Sequence, residues 1–139
     1  MFLLDTNVVS ELRKTKAGKA NRGVVEWARE VHPIAMFLSA ITLHEIEYGI
    51  LLAERVDPEQ GAVLRAWLAH DVKPSFSDRV IPVDGDVATL AATYHVPNPA
   101  PFADALIAAT ARAHDLTVVT RGTRDFSRFP DLEVLNPWT

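Results

Sequence analysis

The sequence predicts an α/β fold in which helices cover both faces of a mainly parallel sheet, a three-layer α/β/α sandwich. Short apolar runs without polar alternation recur along the chain, as expected for strands that are buried on both faces. They alternate with helix-compatible segments, an order typical of parallel sheets. The 139 residues are enough for one such core, so we expect a single domain over residues 1–139.

The first half of the chain opens on an apolar run that stops at Asp5 and leads into a helix-compatible stretch. An amphipathic pattern then predicts a second helix, and His32-Pro33 ends it before another all-apolar strand. Asp57-Pro58 begins a further helix, which should end before Pro74. The predicted elements are strands over residues 1–4 and 34–38 and helices over residues 6–14, 21–31, 43–55 and 57–73.

The second half repeats this order with shorter strands. Residues 80–83 predict a strand, and Pro82 places it near an edge of the sheet. Asp84 should cap the next helix, and the proline-rich residues 97–101 should form a loop. Residues 105–114 predict a buried helix of small side chains, and two last strands are predicted over residues 117–120 and 134–135.

Composition narrows the chemistry that the chain can perform. It contains no cysteine, which excludes disulfides, thiolate metal sites and cysteine nucleophiles, so any metal should have oxygen ligands. The opening apolar run is too short for a signal peptide, and no later run is long enough to span a membrane. We therefore expect a cytoplasmic protein without a membrane partner.

Basic residues are concentrated in two places, although the net charge is -4. The first group carries five positive charges without an intervening acid and comprises Arg13, Lys14, Lys16, Lys19 and Arg22. The second group comprises Arg121, Arg124 and Arg128. Such clusters are usually solvated surface, but beside an acidic site they would suit a phosphate-bearing substrate.

Four acids, Asp5, Glu45, Asp104 and Asp125, follow apolar strands or open helical segments. Taken singly, Asp5 would be a helix N-cap and Asp125 a turn residue. Glu45 fits a capping box that begins at Thr42, and Asp104 suits the positive end of a helix dipole. Parallel crossovers, however, would bring all four acids to one edge of the sheet. Converging carboxylates repel one another unless a cation or protons intervene, so the set is better explained by a site for Mg²⁺ or Mn²⁺.

Four segments occur in order along the chain: LDTNVVSE (residues 4–11), LSAITLHEIEYG (38–49), ADALIAATA (103–111) and VTR (119–121). With NPW at residues 136–138, they resemble the PIN domain, specifically its VapC or FitB-like toxin branch. The resemblance covers essentially the whole chain. It implies a PIN-like fold and a metal-dependent endoribonuclease.

The resemblance also implies roles for individual residues. Asp5 and Asp104 would bind Mg²⁺ directly, and Glu45 and Asp125 would bind it directly or through water. The supporting residues would be Thr6, Asn7 and Thr120. The basic residues that could hold the RNA backbone are Arg13, Lys14, Lys16, Lys19, Arg22, Arg121 and Arg124.

The partners that the resemblance implies are an RNA substrate, such as tRNA, and a small DNA-binding antitoxin. The antitoxin would lay a peptide over the acidic cleft, and an arginine from it could take the place of the metal. A homodimer is expected, which would form a heterotetramer or a larger complex with the antitoxin.

One position departs from the family pattern and keeps other functions open. Related sequences usually carry Asp or Asn where this chain has Gly122, so a catalytically weak module that binds RNA or protein is one alternative. A haloacid-dehalogenase-like phosphatase is another, because Asp5 also resembles a strand-borne nucleophile. That family wants a second Asp two residues later, where this chain has Asn7.

Overall fold

Five short strands form a central sheet in the computed structural model, which describes residues 1–139. They are β1 (Phe2–Leu4), β2 (Met36–Ser39), β3 (Val80–Ile81), β4 (Thr117–Val119) and β5 (Val134–Leu135). Their spatial order is β3-β2-β1-β4-β5, and all four pairings are parallel. The predicted parallel sheet is confirmed, and β3 lies at an edge as Pro82 indicated.

The helices that connect these strands cover both faces of the sheet. They are α1 (Thr6–Leu12), α2 (Arg22–Glu30), α3 (Ala40–Val56), α4 (Pro58–Trp67), α5 (Lys73–Ser75), α6 (Gly85–Thr93), α7 (Phe102–Ala113) and α8 (Thr123–Phe126). Leu3 and Leu4 are both fully buried but belong to different core clusters, because successive strand residues point to opposite faces. The cluster around Leu4 includes residues of α1 to α3, and the cluster around Leu3 includes residues of α6 to α8. This arrangement is the predicted three-layer sandwich.

Several predicted boundaries are displaced, and two of them are wrong for clear local reasons. The second strand begins at Met36 instead of Ile34, because residues 33–35 form a 3₁₀ turn whose first free N–H, that of Ile34, donates to His32 Nδ1. The helical path does not stop before Pro74. A π-helical turn over Leu68–Val72 ends α4, and Pro74 then lies in the first turn of α5, where a proline costs no hydrogen bond.

The order of the strands defines where a ligand is expected. From β1 the chain builds outward through β2 and β3, and it then returns to place β4 on the other side of β1. The carboxyl ends of β1 and β4 therefore border the point at which the strand order reverses, and open parallel sheets bind ligands there. None of the helices is both long and apolar enough to cross a membrane.

Candidate active site

Asp5 is the first residue after β1, and three short hydrogen bonds hold it. Its N–H donates to Val119 O over 2.9 Å, which extends the pairing with β4. Its Oδ1 accepts from the Thr6 N–H at 2.8 Å and so caps α1, while its Oδ2 accepts from the Thr120 hydroxyl at 2.8 Å. Asp5 is only 9% exposed. It is therefore both the N-cap and a buried acid at the strand end.

Asn7 links the ends of β1 and β4. Its Nδ2 donates to Asp5 Oδ2 at 3.4 Å and to Thr120 Oγ1 at 3.3 Å. Its Oδ1 accepts from the Arg121 N–H at 3.3 Å. The Asn7 amide both donates and accepts here, so it orients Asp5. An amide does not titrate, so Asn7 cannot be the general acid that a phosphatase would need.

Glu45 reaches the same place from α3. The Thr6 hydroxyl donates to Glu45 Oε1 over 2.7 Å. The capping box predicted with Thr42 does not form, because α3 begins earlier and Ser39 caps it through a bond from the Ile41 N–H. Thr42 is buried inside the helix. Glu45 is thus free to face the acids across the sheet edge.

Asp104 lies in the first turn of α7 and is held by no hydrogen bond to its carboxylate. Burial, with the negative charges of Asp5, Asp125 and Glu45, raises its pKa to about 6. Burial also raises the pKa of Asp5, although the bonds from Thr120 and Thr6 oppose the change. The acids therefore destabilise one another in their ionised state.

Asp5, Glu45 and Asp104 line one cleft of about 510 Å³ together with Thr6 and Asn7. None of the ion pairs of the protein includes any of these three acids. The predicted convergence of the acids at one edge of the sheet is what the structure shows for these three.

Asp125 stands beside the cleft and not in its wall. It is exposed in the first turn of α8, yet its charge raises the pKa values of Asp5 and Asp104. Its Oδ2 lies 2.7 Å from the position that a Cβ on residue 122 would take. The carboxylate of Asp125 therefore occupies the space left by the missing side chain of Gly122.

The predicted basic residues separate into four groups. Lys14 and Arg121 line the acidic cleft. Arg13 and Lys16 line a different, more apolar groove, and Arg22 is exposed in an ion pair with Glu26. The remaining two are exposed and line neither cavity: Lys19 and Arg124.

Three residues of the cleft were not predicted as site residues: Ser10, Glu11 and Trp138. Glu11 accepts from the Asn21 N–H at 2.7 Å and from Lys14 Nζ at 3.1 Å, and these contacts, the first above all, lower its pKa. Trp138, which is near the C-terminal end of the chain, also lines the cleft. The only sequence signal for Trp138 was its place in the NPW segment.

Arg128 belongs to the second basic group but does not face the cleft. Its guanidinium donates to the carbonyl oxygens of Pro99 and Asn98 at 2.9 and 2.7 Å. The loop that it holds runs directly into α7, which carries Asp104. Arg128 therefore ties the segment after α8 to the loop that positions Asp104.

The donor set fits a hydrated Mg²⁺ better than a metal enclosed by protein ligands. No three His, Asp or Glu side chains are grouped closely enough to hold a metal ion among them. Mg²⁺ retains several waters and commonly takes only one or two carboxylates from a protein. Asp5, Glu45 and Asp104, which form no ion pair, provide such ligands in this cleft.

A parallel sheet with carboxylates gathered at its switch point is typical of metal-dependent phosphoryl-transfer domains. The PIN domain family model matches residues 2–132, and the chain belongs to this family.

Several individual proteins are similar to this chain over nearly its whole length. Toxin FitB from Neisseria gonorrhoeae is 37% identical over 143 residues that cover 99% of both chains. A crystal structure of FitAcB from that organism superposes with a TM-score of 0.87 at 36% identity, covering 99% of each chain. VapC ribonuclease Y4jK from Sinorhizobium fredii is 34% identical over 99% of this chain and 98% of its own. A toxin-antitoxin complex from Klebsiella pneumoniae has a TM-score of 0.68 at 25% identity, covering 99% of this chain and 98% of the other.

Proposed function

We propose that this protein is an endoribonuclease that depends on Mg²⁺, or on Mn²⁺, and that it is the toxin of a type II toxin-antitoxin pair. The observation that carries this proposal is that Asp5, Glu45 and Asp104 share one cleft and none of them forms an ion pair. Such a set is costly for the folded protein, and binding a divalent cation removes the cost. The ribonuclease activity named for VapC Y4jK supports the same reaction here.

Asp5 and Asp104 are the direct ligands in this proposal, and Glu45 and Asp125 act directly or through water. A bound Mg²⁺ would lower the pKa of a water molecule and neutralise the charge that develops on the scissile phosphate. The protein's own contribution is orientation. Thr120 fixes one oxygen of Asp5, and Thr6 fixes one oxygen of Glu45.

The proposed substrate is single-stranded or looped RNA, for which tRNA is a candidate. An acidic cleft would repel a polyanion, so the substrate needs compensating positive charge at the rim. Lys14 and Arg121 provide it, because both line the cleft beside the acids. Arg13 and Lys16 line the other groove, so they would contribute only through longer-range attraction.

The proposed partner is a small DNA-binding antitoxin. A peptide of that partner would lie over the cleft and insert an arginine, whose charge would replace the metal among the carboxylates. The toxin-antitoxin complex from Klebsiella pneumoniae, which contains a chain of similar fold, supports this assembly. A homodimer of the toxin within a larger complex with the antitoxin completes the proposal.

Cleavage of end-labelled RNA by purified protein tests the activity. We expect cleavage with Mg²⁺, none with EDTA, and a loss of at least about 100-fold in Asp5→Asn, because a direct ligand is removed. Asp115→Asn is a matched control. Asp115 is exposed, has a φ of 55° that asparagine adopts readily, and lies outside the cleft.

Two further measurements separate the rival functions. Calorimetric Mg²⁺ binding without any RNA cleavage would favour the inactive binding module. Turnover of a small phosphoester that survives in Asn7→Ala would favour the phosphatase. Undiminished RNA cleavage by Asp5→Asn would refute the proposed site.

A further inference from the structure

We infer that Trp138, together with Arg121, forms a stacking platform that holds one nucleobase of the RNA at the rim of the acidic cleft. The inference rests on the proposed function and adds a base-binding subsite to it. The platform recognises the flat face of a base, so it favours unpaired nucleotides without selecting a sequence.

Trp138 is the only aromatic side chain, and the only hydrophobic one, that lines the cleft. The other lining residues are polar or charged, so this partly exposed indole is the one apolar surface in the wall of the cleft. The Arg121 guanidinium lies 5.7 Å from the centre of the indole ring. Both groups are flat surfaces on which bases stack in RNA complexes.

Hydrogen bonds hold the backbone around Trp138 in place before any ligand arrives. The Trp138 N–H donates to Asn136 Oδ1 at 3.0 Å. The next residue, Thr139, exchanges two hydrogen bonds with the Asn21 side chain, at 3.1 and 3.2 Å. Gly23 allows this segment to approach α2, since a Cβ there would lie 2.4 Å from Pro137 O. A segment held in this way loses little further backbone entropy when Trp138 binds a base.

The platform is connected to the acids through the backbone. Arg121 follows Thr120, whose hydroxyl bonds Asp5, and the Arg121 N–H donates to Asn7 Oδ1. A base on the platform would therefore lie next to the acids, with the RNA backbone leading into the cleft. The subsite positions a neighbouring phosphodiester and takes no part in the chemical step.

Trp138 also packs against the core on the α1–α3 side of the sheet, so a purely structural role must be distinguished from stacking. Two substitutions make this distinction. Trp138→Leu keeps an apolar side chain for the core but removes the aromatic face. Trp138→Phe keeps an aromatic face of smaller area.

The kinetic test compares these variants on a short single-stranded RNA with Mg²⁺. We expect Trp138→Leu to raise KM by roughly 5- to 150-fold, the range for the loss of one stacked base, with kcat within about twofold. Trp138→Phe should recover most of the affinity. Trp67→Leu is the matched control, since Trp67 does not line the acidic cleft, and its KM should stay at the wild-type value.

A binding test needs no cleavage and therefore separates this inference from the proposed activity. In EDTA, a short RNA should quench the fluorescence of the wild-type protein, whereas an abasic oligomer of the same length should not. The quenching should vanish in Trp138→Phe, although Trp27 and Trp67 remain. If the wild-type protein cleaved no RNA, the proposed activity would be refuted. The quenching would still show whether a base binds to the platform.

Three results would overturn the platform. One is an unchanged KM in Trp138→Leu, and another is equal quenching by the abasic oligomer. The third is a Trp138→Leu variant that loses affinity for the antitoxin but not for RNA, because the indole would then serve the protein partner.

Discussion

Removing one charge from the acidic cleft should stabilise the metal-free protein at neutral pH, and Asp104→Asn is the clearest case. The pKa of Asp104 is raised from 3.8 to about 6 by burial and by the neighbouring acids. Its ionised form is therefore destabilising, and this cost is present above pH 6 and absent below 3.8. An asparagine does not ionise and avoids the cost.

The pKa shift of Asp104 sets the size of the stability gain. A shift from 3.8 to about 6 corresponds to a free energy of about 3 kcal/mol at most, and partial exposure of the carboxylate to solvent reduces it to roughly 1–2 kcal/mol. Losing a negative charge in the first turn of α7 costs about 0.3–1 kcal/mol. The net gain is about 1 kcal/mol, which in a chain of 139 residues raises Tm by roughly 3–4 °C.

Thermal unfolding in EDTA at pH 7.5 and pH 4 measures this gain. The Asp104→Asn protein should melt above the wild type at pH 7.5 and show little advantage at pH 4, where the wild-type carboxyl is protonated. Saturating Mg²⁺ should reverse the order at pH 7.5, because only the wild type retains both direct ligands. Asp115→Asn controls for the loss of a charge elsewhere. A lower Tm for Asp104→Asn in EDTA at pH 7.5, or an equal gain at both pH values, would refute the reasoning.

Three other changes test the groups around the acids. Thr120→Val removes the 2.8 Å bond to Asp5 and should cost about 1–2 kcal/mol in urea unfolding at neutral pH, whereas Thr120→Ser should retain most of it; full stability in the valine variant would contradict this. Gly122→Ala should push the Asp125 carboxylate aside and lower RNA cleavage a few-fold at limiting Mg²⁺. In an Asp125→Asn background the same alanine should add nothing, and an additive loss would show that Gly122 acts otherwise. Arg128→Ala should speed hydrogen exchange in the loop that it holds, and Arg128→Lys should restore little because lysine lacks the guanidinium fork; unchanged exchange would rule out the clamp.

The acids were predictable from the sequence because their position depends on strand ends. Asp5 follows a run without polar alternation, and parallel topology then gathers such positions at one edge. The convergence of Glu45 with the other acids was predictable, but its place within α3 was not. Ser39 and Thr42 are both residues that commonly cap a helix, so the sequence leaves the start of α3 open. Only the fold shows that Ser39 begins the helix and that Thr42 is buried within it.

The roles of Trp138 and Arg128 depend on contacts that no local pattern encodes. Trp138 reaches the cleft because residues 136–139 pack against α2, across more than a hundred positions of the chain. Arg128 was grouped with Arg121 by charge, yet its guanidinium binds backbone oxygens about 30 positions earlier. Charge clustering identifies basic residues, but it does not distinguish those that face a substrate from those that hold a loop.

The pairing of β1 with β4 places Leu4 opposite Val119, and this register is what brings Thr120 to Asp5 from 115 positions away. Glu45 is joined to Thr6 across 39 positions, and Asp104 comes from a third separate element. A slip of β4 by two residues would keep every side chain on its own face but would carry Thr120 about 6.6 Å from its partner. A chain in which β4 has not paired with β1 therefore lacks the Thr120 bond that orients Asp5. During synthesis, the acidic cleft is completed only after β4 has emerged.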